Sequence, residues 1–549
     1  MVLFFEMKGD DKLITILLLI YKKKSYIYSR GINMSKPSNN TKKLTLVPLI
    51  LMIFTSVFGF SNMPRAFYLM GYSAIPWYVL SAVLFFIPYA FMMAEYGSAF
   101  KKESGGMYSW MEKSVGAKYA FIGTFMWYAS YMIWMVSVSS SLWIPLSNAI
   151  FGSDKTATWT IFGLDSVKTL GILGAIWICV VTFVGSKGVD KISKVTSVGG
   201  TAVTLLNIVL LGGGMLVVAL TGELAEPITN IAQSFTNSPS PNYQTPLAIL
   251  SFLTFAVFAF GGLEVLGGLV DQTENAEKTF PKGLAISAIV ISVGYALGIF
   301  ACGMFTNWSE VLGGEHVNMA NATYILMSNL GFKIGQGLGL AETTSLAIGA
   351  WTARFVGLSM FLSLTGAFFT LSYSPLKTLI QGAPKEVWPG KLGEIKNGMP
   401  INAMIVQAIL VVAMILIVSF GGSNAAEFFA ILTLMTNVAM TIPYMFLSAA
   451  FPVFKKKQLK GELDKPFVVY KSYGAAMIAS VIVTAIIGFA NIFTIIEPAL
   501  SSSEGMSKTI TMIGGPLVFS VVGFGLFTFY EIKHVKKSKK SKESKKVMG

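Results

Sequence analysis

The sequence predicts an all-α polytopic membrane protein with twelve transmembrane helices, and three observations lead there. Only 13% of the 549 residues are charged and 54% are hydrophobic, whereas a soluble domain carries about 25% charged residues. Apolar runs recur from residue 46 to residue 531, each of roughly the 20 residues needed to cross a hydrocarbon core about 30 Å thick. Lysines fall in alternate connections between those runs. A soluble chain of this length would divide into several domains with polar surfaces, and the composition leaves too little polar surface for that.

The first 33 residues stand apart. Leu13 to Tyr21 is apolar but too short to span. Asp10 and Asp11 precede it and Lys22 to Lys24 follow it, the reverse of a signal peptide's order. Met34 then opens a polar segment, Ser35 to Lys43, that leads into the first full-length run. Either translation starts at Met34 or residues 1–33 form a peripheral interfacial segment.

The spans predicted after that are 46–70, 74–98, 117–147, 168–186, 192–220, 246–271, 284–305, 343–373, 402–420, 425–451, 471–496 and 508–531. A short amphipathic helix is expected near Ala320 to Leu330. After Met34, thirty lysines lie on one side of this arrangement, including Lys101, Lys187, Lys278, Lys377, Lys455 and the tail Lys533 to Lys546. Only Lys155, Lys168, Lys333 and Lys508 lie on the other. Basic loops stay in the cytoplasm, so the count predicts an even number of spans with both ends inside a cell membrane. The Lys-rich tail reads as a solvated anchor at the inner face, with headgroup contact as the alternative.

Several function classes are excluded. The basic residues sit in short loops and tails without interleaved stacking aromatics, so a net charge of +15 does not indicate a nucleic-acid partner. Cys179 and Cys302 lie inside apolar runs, and the histidines are only His316 and His534. Neither a disulfide framework, a metal site nor a cofactor is expected. No P-loop motif is present, and no nucleophile–base set suggests an enzyme. Membrane lipid and a small solute are the expected partners. A carrier driven by a solute or ion gradient, a channel and a receptor stay open at this point.

Two spans are locally wrong for continuous helices. The first contains Phe58-Gly59-Phe60-Ser61-Asn62-Met63-Pro64, and Pro64 cannot donate to the carbonyl four residues earlier. The sixth contains Phe258-Ala259-Phe260-Gly261-Gly262-Leu263-Glu264, where adjacent glycines each weaken a helix by up to about 1 kcal/mol. Breaks near mid-membrane free backbone groups for a ligand, favouring a carrier over a channel. Gly59, Ser61, Asn62, Phe258, Phe260, Gly261 and Gly262 are therefore the candidate substrate-binding residues, against a packing kink as the plainer reading. Glu264, a carboxylate inside a span, is a candidate for gating, coupling or support of the break. Glu95 and Arg354 are further gating candidates, Arg354 through an internal ion pair. Trp127, Tyr128, Tyr131 and Trp134 cluster at helical spacings in the third span. Lipid-facing packing is the default for any one of them, and Trp134 is the candidate to close over a substrate.

Four stretches in order carry a family likeness. They are Ala94-Glu95-Tyr96 with Gly105-Gly106-Met107-Tyr108-Ser109-Trp110, then Phe258 to Glu264, then Glu274 to Lys282, then Ser374-Pro375-Leu376-Lys377 with Asn397-Gly398-Met399-Pro400. Over residues 44–531 the chain resembles the amino acid–polyamine–organocation superfamily, and within it the glutamate:γ-aminobutyrate antiporter branch. The resemblance implies a transport domain over 44–531 between cytoplasmic tails, 1–43 and 532–549. It also implies two inverted repeats of five spans followed by two more, a bacterial source, and exchange of an amino acid for another or for an amine. Proton-coupled amino acid or polyamine uptake is the alternative. The sequence departs from the family in its single glycine at the first break. It also has no ionisable residue between Lys194 and Glu223, where some proton-coupled relatives place a lysine.

Overall fold

The computed structural model describes residues 43–547 other than 397 and 502–504, and leaves out the side chains at 425, 426, 428–430, 432, 434, 435, 437 and beyond 533. The readings of Leu13 to Tyr21, the Met34 start, Lys36, Lys42, Asn397 and the tail lysines from Lys536 onward lie outside the described residues or side chains. From Lys43 on, the described chain is helical, with isolated bridges as its only β-structure.

Each apolar segment predicted to span is helical. The first gives α1 (Leu46–Val57) and α2 (Asn62–Met70). The second gives α3 (Ala74–Ser81) and α4 (Ile87–Ala99), joined by a π-helical turn, Ala82–Phe86. A short α5 (Gly106–Ser114) leads to α6 (Ala117–Ser141) and α7 (Trp143–Phe151). Then come α8 (Ser166–Gly185), α9 (Val189–Thr221) and α10 (Pro246–Phe258), followed by a 3₁₀ stretch, Leu263–Gln272. The second half holds α11 (Ala276–Phe305), α12 (Ala322–Gly337), α13 (Glu342–Gly382), α14 (Ile401–Phe420), α15 (Gly422–Ala439), α16 (Ile442–Leu459), α17 (Tyr473–Ser501) and α18 (Gly505–Val547). Ten helical stretches among the described residues are long and apolar enough to cross a membrane, one of them the 54-residue run Leu46–Ala99.

Two features depart from the sequence reading. Helix α13 continues nine residues beyond the predicted end at 373, so Lys377 is a buried helix residue, not a loop lysine. The segment 425–451 is interrupted at Met440 and Thr441, because Pro443 at the second position of α16 has no N–H to continue a ladder from α15.

The packing places the broken helices in the interior. Helix α1 lies against α9, α11 and α13, and the Leu263–Gln272 stretch lies against α13. Large aromatic side chains fill the centre, with Tyr78, Tyr89, Trp110, Trp127 and Tyr295 almost wholly buried. Phe183, Ile409, Ile478 and Phe529 stand exposed on the outside of the bundle, as residues facing hydrocarbon do. Leu44 bridges in parallel to Thr273, with its N–H on the Gln272 carbonyl and its own carbonyl accepting from Glu274, both at 2.8 Å. The entry to α1 is thus stitched to the exit of the second break.

Candidate functional site

Between α1 and α2 the chain leaves the helix at Phe58 to Ser61. Pro64 is the third residue of α2, in a first turn whose N–H groups have no helical partner in any case. The second break is sharper. Gly262 has φ +110°, a region costly for a residue with a side chain. A Cβ there would overlap the Ser56 carbonyl oxygen, so glycine lets the second break touch the end of α1. The Gly262 N–H donates to the Tyr444 hydroxyl at 2.8 Å.

Tyr295, on α11, joins the breaks. Its hydroxyl lies 3.0 Å from Gly59 N, 3.1 Å from Asn62 Nδ2, 2.9 Å from the Val57 carbonyl and 3.0 Å from the Ala259 carbonyl. Main-chain groups that the helices no longer pair are partly satisfied by this one oxygen, as buried polar groups must be.

A cavity of about 580 Å³ opens where the breaks meet, within the usual range for small-ligand sites. Ser56 of α1, Trp134 and Ser137 of α6, Phe258, Gly261 and Gly262 line one part of it. Tyr131 of α6, Leu371 of α13, Thr433 and Thr436 of α15, and Met440, Thr441 and Tyr444 line much of the remainder. The third interruption, at Met440 and Thr441, therefore also borders the cavity.

Phe258, Gly261, Gly262 and Trp134, singled out from the sequence, line this cavity. Gly59, Ser61, Asn62 and Phe260 do not. Phe260 is buried, stacked 4.7 Å from Phe86 and edge-on to Tyr295 at 5.1 Å. The Asn62 amide is held by Tyr295, and a Cβ on Gly59 would come within 2.9 Å of that amide nitrogen. Ser61 precedes α2 without a side-chain capping bond.

Glu264 sits behind the break and is 1% exposed. Its Oε1 accepts from Trp127 Nε1 at 3.1 Å and from the Tyr131 hydroxyl at 3.2 Å. Oε2 makes no hydrogen bond of standard geometry among the described residues, with the Tyr444 hydroxyl close by. Trp127 and Tyr131 are thus turned inward and buried, which corrects the lipid-facing default. A buried carboxylate recruits the polar edges of nearby aromatics.

Glu95 is fully buried and pairs with Lys455 at 2.5 Å. Its other oxygen accepts the N–H groups of Val469 and Tyr470, each at 2.7 Å. Lys377, equally buried, reaches Asp271 at 2.6 Å and the Gly268 carbonyl at 2.7 Å, pinning the 3₁₀ stretch to α13. Arg354 forms no ion pair among the described residues. Its guanidinium donates to the carbonyls of Ala350 and Phe151 at 3.3 and 3.2 Å and lies 5.3 Å from the Trp351 ring. Sequence reasoning missed Tyr295, Tyr444, Lys377 and Lys455. Pro443 was a readable signal for Tyr444, Lys377 stood in one of the family-like stretches, and no local pattern marks the other two.

Chemically, the cavity presents interrupted helix ends and hydroxyls to a small zwitterion, since helix N-termini favour anions and C-termini favour cations. A family model described as amino acid permease matches residues 44–529. The chain is 52% identical over 496 residues to the inner membrane transporter YjeM of Salmonella typhimurium, covering 90% of this chain and 97% of that one. It is 53% identical over 491 residues to the YjeM of Escherichia coli, covering 89% and 96%. The aspartate/glutamate permease AcaP of Lactococcus lactis is 24% identical over 452 residues, covering 80% and 85%. The chain therefore belongs to the amino acid permease family and is a membrane transport protein of the amino acid–polyamine–organocation type.

Proposed function

We propose that the protein carries amino acids across the cell membrane by alternating access. The carrying observation is the cavity at the meeting of three helix interruptions, where main-chain groups can hold an α-carboxylate and an α-ammonium. Family membership supports an amino acid cargo. The topology we propose has twelve crossings, both termini cytoplasmic, and two inverted five-span repeats followed by two spans. The lysine asymmetry supports it, as do breaks in both the first and sixth apolar segments.

The cycle runs as exchange of one amino acid for another or for a related amine, of the kind found in the glutamate:γ-aminobutyrate branch. A proton-coupled cycle is favoured by one observation, the buried Glu264, whose Oε2 makes no hydrogen bond of standard geometry among the described residues. Trp134 and Phe258 form the aromatic wall that closes on the substrate. Glu95, through Lys455, is a better gate candidate than Arg354, whose guanidinium is occupied by backbone carbonyls.

Reconstitution in liposomes tests this. Labelled amino acid should accumulate faster when unlabelled substrate is loaded inside. Stimulation by an inward proton gradient, abolished in Glu264→Gln, would identify the proton-coupled cycle instead. If no amino acid moves under either condition, the carrier reading is wrong.

A further inference from the structure

We infer that the cargo is an α-amino acid whose side chain carries no charge. This rests on reading the central cavity as the substrate site, and it concerns which amino acid fits there.

No Asp, Glu, Lys or Arg lines the cavity. The helices around it explain why. Helices α1 and α10 contain no such residue along their length, and α6 contains only Lys118, thirteen residues before Tyr131. On α13, Arg354 lies thirteen residues from Ala367, about 20 Å away along the axis. Lys377 is nearer, but it is fully buried and its ammonium is occupied by Asp271 and the Gly268 carbonyl. The α15 side chains outside the description between 425 and 437 include no ionisable residue, and Glu427 at the start of that helix is exposed.

The helix ends around the cavity supply partial charges of both signs, suited to the α-carboxylate and α-ammonium that every amino acid shares. A third charge finds no counter-charge. An ionised group moved from water into such a site is strongly disfavoured unless it is paired. The one carboxylate nearby, Glu264, gives an acidic side chain no counter-charge. It is also withheld from a basic one, because it does not line the cavity and is bound by Trp127 and Tyr131. The cavity wall is instead built of Tyr131, Trp134, Phe258 and Leu371, with Ser137 and Thr436 as its small polar side chains. Those surfaces suit apolar, aromatic or hydroxyl-bearing side chains. They do not suit the aspartate and glutamate for which the Lactococcus relative is named.

The full-length protein in detergent is titrated, with thermal unfolding as the readout, against L-leucine, L-phenylalanine, L-serine and L-threonine. The same is done with L-glutamate, L-aspartate, L-lysine, L-arginine and putrescine, and each ligand that binds is followed in proteoliposome uptake. At least one uncharged amino acid should bind tenfold or more tighter than every charged ligand. A charged ligand that binds as tightly or more tightly, and is taken up, overturns this inference while leaving the carrier reading intact. If nothing in the panel binds or moves, the carrier reading falls and this inference with it. Leu371→Arg supplies the missing counter-charge. It should raise glutamate affinity tenfold or more in protein that still unfolds cooperatively, and a folded variant with unchanged selectivity would count against the argument.

Discussion

Gly262 and Ser56 are packed so closely that the second helix break has no room for a side chain against the carbonyl oxygen of the first. The two interruptions lie about two hundred residues apart in the chain, yet they behave as one piece of architecture. Gly262→Ala combines that overlap with a φ of +110°, and each such strain costs about 1–3 kcal/mol. Uptake should fall at least tenfold while the protein still inserts in the membrane, as read by transport assay and by yield of folded protein. Gly525→Ala, in α18 with nothing within 4 Å of its Cβ position, should leave both unchanged.

Tyr295→Phe removes only an oxygen, yet that oxygen serves both breaks. A net hydrogen bond contributes about 0.5–1.5 kcal/mol, and leaving buried partners unmet costs about 1–3 kcal/mol. A stability loss of about 2 kcal/mol is expected by denaturant or thermal unfolding, with a fall in uptake. Tyr128→Phe, whose hydroxyl makes no such link, serves as the control.

Breaking the Glu95–Lys455 pair on one side strands a buried charge, which costs about 3–5 kcal/mol. Lys455→Met should therefore destabilise the protein markedly. Adding Glu95→Gln should recover part of that loss, since the double variant buries no unpaired charge. A double-mutant cycle on melting temperature measures the coupling. Additive losses would mean that the pair is not coupled.

Glu226, in the connection after α9, accepts the Trp308 N–H at 2.6 Å, but burial dominates and raises its pKa above the ordinary carboxylate range. The folded state thus holds this proton more tightly than the unfolded chain does. Stability from Glu226 is present at low pH and is lost as pH rises through its raised folded-state value. Glu226→Gln should flatten that part of the profile of melting temperature against pH. An unchanged profile would show that the group contributes nothing to it.

The fold was readable because its driving pattern is local. A run of apolar residues long enough to span is visible wherever it occurs, and Gly261-Gly262 and Pro64 announce two breaks by their own backbone chemistry. The third break was hidden inside an apolar segment, although Pro443 marked it. What could not be read is what depends on distant partners. Lys455 looks like one of a row of loop lysines, and only the fold brings it to Glu95, 360 residues earlier. Tyr295 looks like any aromatic in an apolar helix. Asn62 and Phe260, polar and aromatic residues beside the breaks, read as ligand contacts in the sequence, and only the fold shows their contacts with Tyr295 and Phe86.

A tyrosine hydroxyl has one proton to give and two lone pairs to receive with. At Tyr295 the lone pairs face Gly59 N–H and the Asn62 amide, while two carbonyls, Val57 and Ala259, compete for the single proton. The Val57 carbonyl also accepts the Gly59 N–H at 2.9 Å, so it keeps a donor when the proton turns toward Ala259. A rotation about one C–O bond is enough to turn the proton from one broken helix to the other. The junction is therefore a hinge pin of one oxygen atom, which can hand its proton from one broken helix to the other with no movement of the backbone.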